Sequence, residues 1–197
     1  MKFDRKIFFT RYREAFGPLR QSQVTGIQEI LSSMEDDIYL TDPRHAAYML
    51  ATVKHECADT WLPVEEYGRG KGLRYGNPVD VTTPDGQVLH NVYYGRGYVQ
   101  LTWAENYLKM DRELGLFGSD SLYLYPSNAL KPAVAYRIMS RGMRKGMFTG
   151  RSLDDCISGK SCDYFKARRI INGTDRAITI QSYAQQLEVI IKSSLIG

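Results

Sequence analysis

Between positions 55 and 67 the chain reads His55-Glu56-Cys57-Ala58-Asp59-Thr60-Trp61-Leu62-Pro63-Val64-Glu65-Glu66-Tyr67. Just upstream, His45 to Lys54 has the periodicity of a helix. Ala46, Met49, Leu50, Val53 and Cys57 recur at the three- and four-residue spacing of a buried stripe. Asp42 is placed to cap this helix, and Pro43 suits its first turn. At roughly 100° per residue, Glu56 falls on the border of the stripe, nearly over Met49, with His55 on the opposite side. A carboxyl group half set in an apolar wall is expected to hold its proton longer than one in water, because burial penalises the charged form. A general acid needs that property.

Downstream of Glu56, Pro63 argues against one unbroken helix from His45 to Tyr67. A turn there is expected to bring Glu65 or Glu66 back toward Glu56. Two carboxyl groups, one protonated and one ionised, are the machinery of glycoside hydrolysis. Taken alone, the same residues also describe a helix-end glutamate followed by a solvated Glu-Glu pair.

A second segment, Tyr94-Gly95-Arg96-Gly97-Tyr98-Val99-Gln100-Leu101-Thr102 followed by Asn106-Tyr107, separates these readings. It resembles the signature of the family 19 glycoside hydrolases, the chitinases and their phage endolysin relatives. His55-Glu56 resembles that family's catalytic His-Glu. Pro63 to Tyr67 is similar to the second-carboxylate segment of the endolysin branch, and Arg169-Ile170-Ile171-Asn172-Gly173 to a later Asn-Gly motif. The likeness runs from about Phe16 to the C-terminus.

The resemblance implies a mainly α, lysozyme-like fold of two lobes with a cleft between them and a small β-hairpin region. It implies an endolysin that hydrolyses β-1,4 bonds of bacterial cell-wall peptidoglycan with inversion. Glu56 would protonate the leaving oxygen. Glu66 or Glu65 would be the base, with Glu66 favoured because the endolysin-branch glutamate directly precedes a Tyr. Thr102 would help hold the attacking water. Gln100, Asn106 and Asn172 would line the substrate cleft, and Tyr98 would form part of its wall. Arg96 would contact sugar or, ion-paired with a carboxylate, hold the site's geometry; Asn172 serves equally well as a turn residue. Chitin is the alternative substrate. A catalytically silent wall-binding or phage structural protein is the reading from another class.

Composition bounds these readings. The 197 residues suffice for one sizeable core, and no linker or repeat divides them. We therefore expect one catalytic domain over 1–197 with no separate wall-binding module. A net charge of +4 suits an anionic polymer as substrate, but cell wall and nucleic acid both fit that description, so charge alone does not choose. No apolar run is long enough to span a membrane, and the N-terminal residues lack the apolar core of a signal peptide. A monomer made in the cytoplasm, which reaches the wall after release, is the corresponding expectation. The basic residues between Phe3 and Phe16 are interrupted, against a nucleic-acid arm. Position 59 is Asp, so His55-Glu56 is not a zinc-protease motif, and the three histidines suggest no shared metal. No cofactor is expected. Three cysteines, Cys57, Cys156 and Cys162, read as thiols rather than a disulfide framework.

Elsewhere the patterns predict helices over Phe3–Phe16, Ser22–Met34 and the region after Asp175. Val79 to Val88 alternates around Pro84-Asp85-Gly86, which predicts a hairpin. Arg69, Lys71 and Arg74 give this region a positive rim. Ser127 or Asn128 is placed to cap a helix carrying Leu130, Ala133, Val134 and Ile138.

Overall fold

The computed structural model describes residues 1–196. In chain order the elements are strand β1 (Lys2–Phe3), helices α1 (Arg5–Phe16), α2 (Gln21–Asp36) and α3 (Pro43–Glu56), and strands β2 (Val64–Glu65), β3 (Val79–Thr82), β4 (Val88–Asn91) and β5 (Arg96–Gly97). Helices α4 (Ala104–Leu114) and α5 (Pro132–Arg144) follow, then β6 (Ile157–Ser158), β7 (Ser161–Cys162), α6 (Tyr164–Ala167), α7 (Ala177–Ser194) and β8 (Leu195–Ile196). They pack as two compact units. The first comprises Met1–Trp61 and the chain from Met139 onward, and the second is Leu62–Ile138.

The first unit is built around α3. Asp42 caps it, accepting from the Arg44 N–H at 2.8 Å, and Pro43 begins it. The helix is not the half-exposed element its stripe suggests, because every residue from His45 to Lys54 is buried. Polar groups on the far face find partners inside the protein. His45 Nε2 meets the Ile157 carbonyl at 2.8 Å, Thr52 Oγ1 donates to the Tyr48 carbonyl, and Lys54 Nζ donates to Asp59 Oδ1 at 2.7 Å. Such pairing makes burial of that face tolerable. Helix α7 lies along α3 and also packs on α1 and α6, burying Ile180, Ala184, Leu187 and Ile191. In α2, Ile27, Ile30, Leu31 and Met34 are buried, and at Gly26 a Cβ would collide with the Trp61 carbonyl. Strands β1 and β8 pair antiparallel, Phe3 opposite Leu195.

All three cysteines are thiols. Strands β6 and β7 pair Ile157 with Cys162, so Cys156 precedes the strand and is one residue out of register with Cys162. Cys156 is buried and Cys162 exposed.

In the second unit β3 and β4 form the expected hairpin, from Val79 opposite Asn91 to Thr82 opposite Val88. Strands β2 and β5 pair Val64 with Gly97 and Glu65 with Arg96. Gly97 has φ +87°, and a Cβ there would approach the Ala129 carbonyl to 2.9 Å, so both conformation and space require glycine. Helix α4 ends on Gly115 in the left-handed conformation. Its buried Asp111 accepts from the Ser121 hydroxyl and the Tyr123 N–H, which ties down the following loop.

The start of α5 differs from the sequence expectation. Pro126–Leu130 is a short 3-10 turn, and α5 begins only at Pro132. The proline pushes Lys131 into an extended conformation, φ −70° and ψ 124°. Asn128 therefore caps no α-helix; its amide donates to the Ser119 and Ser121 carbonyls. Ala135, Tyr136, Ile138 and Met139 form the buried face, and Ala133 is exposed.

Candidate active site

Glu56 is the last residue of α3. The helix stops well before Pro63, at a turn in which Ala58, Asp59 and Trp61 all have positive φ, of 46°, 59° and 64°. Left-handed backbone is costly for such residues and persists only where surrounding contacts over-determine it. Asp59 supplies them. Its Oδ1 accepts from Lys54 Nζ and, at 2.9 Å, from Trp61 Nε1, and its carbonyl accepts from Gln23 Nε2 at 2.8 Å. The Lys54 ammonium also lies 4.7 Å from the Phe16 ring centre, 5.4 Å from Tyr183, 5.6 Å from Tyr12 and 5.9 Å from Trp61. This box of rings and one carboxylate fixes the end of α3.

The surroundings of the Glu56 carboxyl are not the apolar wall expected from the stripe. Glu56 Oε1 accepts from Arg168 Nη1 at 2.5 Å, with the arginine side chain 3% exposed and the glutamate 18%. Arg168 Nε donates in turn to the Asp175 carbonyl at 3.0 Å. Sequence reading passed over Arg168 in favour of the motif that starts at Arg169, whose side chain is exposed. A usable signal existed: Tyr164, Ala167 and Arg168 stand at i, i+3 and i+4, and all three are buried. Asn172 is an exposed turn residue, its Oδ1 accepting from the Gly173 N–H at 2.8 Å.

Glu65 and Glu66 belong to the second unit. The Glu66 carboxylate is held at both oxygens, by the Tyr75 hydroxyl at 2.7 Å and the Gly95 N–H at 3.0 Å. Each oxygen keeps a further lone pair with which to accept from a water. The bond to Glu66 pushes the Tyr75 phenol up to about 12. Glu65 accepts from the Tyr94 hydroxyl at 2.6 Å and from Arg69 at 2.9 Å, and Arg96 Nε lies 3.8 Å away. The Tyr94 bond, followed by the charges of Arg69 and Arg96, holds the Glu65 carboxyl below the usual range.

The motif that starts at Tyr94 folds onto these carboxylates. Arg96 is buried, its guanidinium carbon 3.5 Å from the centre of the Tyr94 ring, and Nη1 donates to the Val92 carbonyl and the Tyr107 hydroxyl. Gln100 has φ 54°, and its amide donates to the Val64 and Gly97 carbonyls, stapling β2 to the loop after β5. Tyr98 is 0% exposed, so in this structure its ring packs the interior rather than forming a wall. Thr102 is half-buried, and its carbonyl accepts from Asn106 Nδ2 at 2.9 Å. Sequence reading also passed over Trp103, an exposed indole set edge-on to the Tyr75 ring at 5.4 Å. Among the described residues, no three of His, Cys, Asp and Glu gather so as to hold a metal ion.

No protein-family model and no curated protein matches the chain. Solved structures do. Chitinase C from Streptomyces griseus HUT6037 aligns with a TM-score of 0.64 at 22% identity, over 94% of this chain and 76% of that one. A glutamate-to-glutamine mutant of a chitinase C gives 0.55 at 19% identity, over 98% and 95%. A bacterial family 19 chitinase gives 0.52 at 20% identity, over 97% and 94%. At these identities the likeness is one of fold. It is the mainly α, lysozyme-like fold that the sequence predicts.

Proposed function

We propose that this chain is a glycoside hydrolase of the endolysin type, cleaving β-1,4 bonds in the glycan strands of bacterial peptidoglycan by inversion. The observation that carries the reading is the direct binding of the second-carboxylate segment by the Tyr94–Thr102 motif. The Gly95 N–H donates to Glu66 Oε2, and Glu65 is paired in register with Arg96. Two separate stretches of sequence thus build one carboxylate site around the Glu65-Glu66 pair.

In this reading Glu56 donates a proton to the leaving oxygen. Arg168 holds its Oε1, and the transferred proton is carried on the other oxygen, Oε2. Glu66 accepts a proton from the attacking water, which the Thr102 hydroxyl helps orient. Glu65, charge-paired and hydrogen-bonded, keeps β2 and the Arg96 loop in place. The enzyme would act as a monomer, made in the cytoplasm and reaching the wall after release.

Chitin is the second reading, favoured by the names of the three structural neighbours. Peptidoglycan is preferred because the chain carries net charge +4 and exposes Lys71 and Arg74 in the Glu66 unit, which suits an anionic polymer. The test is to digest purified peptidoglycan and chitin separately and to identify the new reducing-end sugar by mass spectrometry. Cleavage of chitin alone would replace the endolysin reading with the chitinase one. Binding without cleavage of either polymer would leave a silent wall-binding protein.

A further inference from the structure

The chain has two tryptophans, and they are treated in opposite ways. Trp61 is 0% exposed, whereas Trp103 is 42% exposed. Trp103 also has φ 73°, a conformation that a bulky side chain adopts only under constraint. The constraint is visible on both sides of the residue. Its N–H donates to the Tyr93 carbonyl at 2.9 Å, and its own carbonyl accepts from the N–H groups of Asn106 and Tyr107, at 3.0 and 3.2 Å. The start of α4 thus holds a large apolar ring partly in solvent, on backbone of positive φ. Positive φ in a bulky residue marks a position set by more than local preference, and here it presents a part-exposed indole beside the Glu66 carboxylate's tyrosine partner, which directs attention to a ligand.

The neighbours of the indole narrow the ligand. The Tyr75 ring stands edge-on to it, centroids 5.4 Å apart at 74°, and the Tyr75 hydroxyl donates to Glu66 Oε1 at 2.7 Å. Exposed aromatic surface therefore continues through one side chain to the carboxylate assigned as base. A pyranose ring presents a matching chemistry: a C–H face that stacks on an aromatic ring, with hydroxyl and amide groups around its rim.

We propose that Trp103 and Tyr75 form a platform that binds one pyranose ring of the glycan, with Tyr75 linking that platform to Glu66. The proposal rests on the glycan-hydrolase reading above, so its test must fail separately from that reading.

Binding is measured in the Glu56→Gln protein, where turnover is blocked, with a β-1,4-linked N-acetylglucosamine oligomer and a soluble uncrosslinked peptidoglycan fragment as probes. Calorimetry gives affinity and indole emission reports the platform. The expected result is a saturable change in emission that Trp103→Phe abolishes, since Trp61 is shielded. Trp103→Ala should weaken binding about tenfold, and Trp103→Phe, which restores a smaller ring, by less. Tyr75→Phe keeps the ring and should keep the affinity, while in the Glu56 background it lowers kcat with little change in KM. Circular dichroism identifies any variant that has lost its fold, and Trp103→Phe then decides the matter. Calorimetric binding that is unchanged by Trp103→Ala, or that leaves indole emission constant, would overturn the platform while the glycan reading stands. Failure of the Glu56→Gln protein to bind either probe would bring down both.

Discussion

Exchange of Glu56 for Gln keeps the side chain's shape and leaves an oxygen for Arg168, but removes the proton to be transferred. The variant should fold normally and clear permeabilised cells at least ~10²-fold more slowly; clearing near the wild-type rate would take Glu56 out of the mechanism. Glu65 and Glu66 should separate under the same exchange. Glu66→Gln is expected to be severe and Glu65→Gln mild, because the Tyr94 bond and the charges of Arg69 and Arg96 hold the Glu65 carboxyl low and make it the weaker base. A reversed order would move the base to Glu65. Stability against pH gives an independent signature of Glu65. Its carboxyl titrates lower in the folded state than in the unfolded chain, so the unfolded state binds more protons in the acid range. The stabilisation is complete above the unfolded carboxylate pKa and is lost as pH falls through the lower folded value. The difference in melting temperature between wild type and Glu65→Gln should therefore shrink on acidification, and a gap that widens would contradict the assignment.

Helix α3 owes its beginning to local signals and its end to distant ones. Asp42 and Pro43 suffice to start it, since capping and a fixed φ act within one turn. Its end depends on Asp59, which ties the strained turn to Lys54, Trp61 and Gln23. Asp59→Ala would leave the Lys54 ammonium among four rings without its carboxylate and strand the Trp61 N–H. We expect a loss of about 1–3 kcal/mol in urea unfolding, since a buried ammonium and the indole N–H lose a half-exposed carboxylate partner. Because the turn follows Glu56 directly, wall lysis should fall along with stability. A variant as stable as wild type would show that the left-handed run at Ala58, Asp59 and Trp61 needs no clasp.

For the molecule as a whole, the stereochemistry of the product is the most direct test of mechanism. Inversion uses water as the direct nucleophile and retention uses a carboxylate. Glu66 is already held at both oxygens, by Tyr75 and Gly95, an arrangement suited to accepting a proton from water rather than to swinging onto a sugar carbon. The first product from a β-linked glycan should therefore be the α-anomer, seen by proton NMR before mutarotation. An initial β-anomer or a trapped glycosyl-enzyme would make the second glutamate a nucleophile.

The features legible in the sequence are those set within a few residues. The cap of α3, the buried faces of α2 and α7 and the β3–β4 hairpin follow from backbone sterics, capping and side-chain period, which leave local marks. Glu56, the Glu65-Glu66 pair and the Tyr94–Thr102 motif could be singled out for the same reason, each being a contiguous string. Tertiary structure alone decided what those residues touch. Arg168 reaches Glu56 across 112 positions, and its neighbour Arg169 has the same chemistry and lies in solvent. Periodicity assigns α3 one buried stripe, but encasement by α7 and pairing of its polar groups bury the other side as well. The exposure of Trp103 is equally non-local, because an indole carries the same apolar pattern whether it is packed inside or held in water. Long-range pairing depends on how the folded chain closes on itself, and this leaves no period or spacing in the sequence to read.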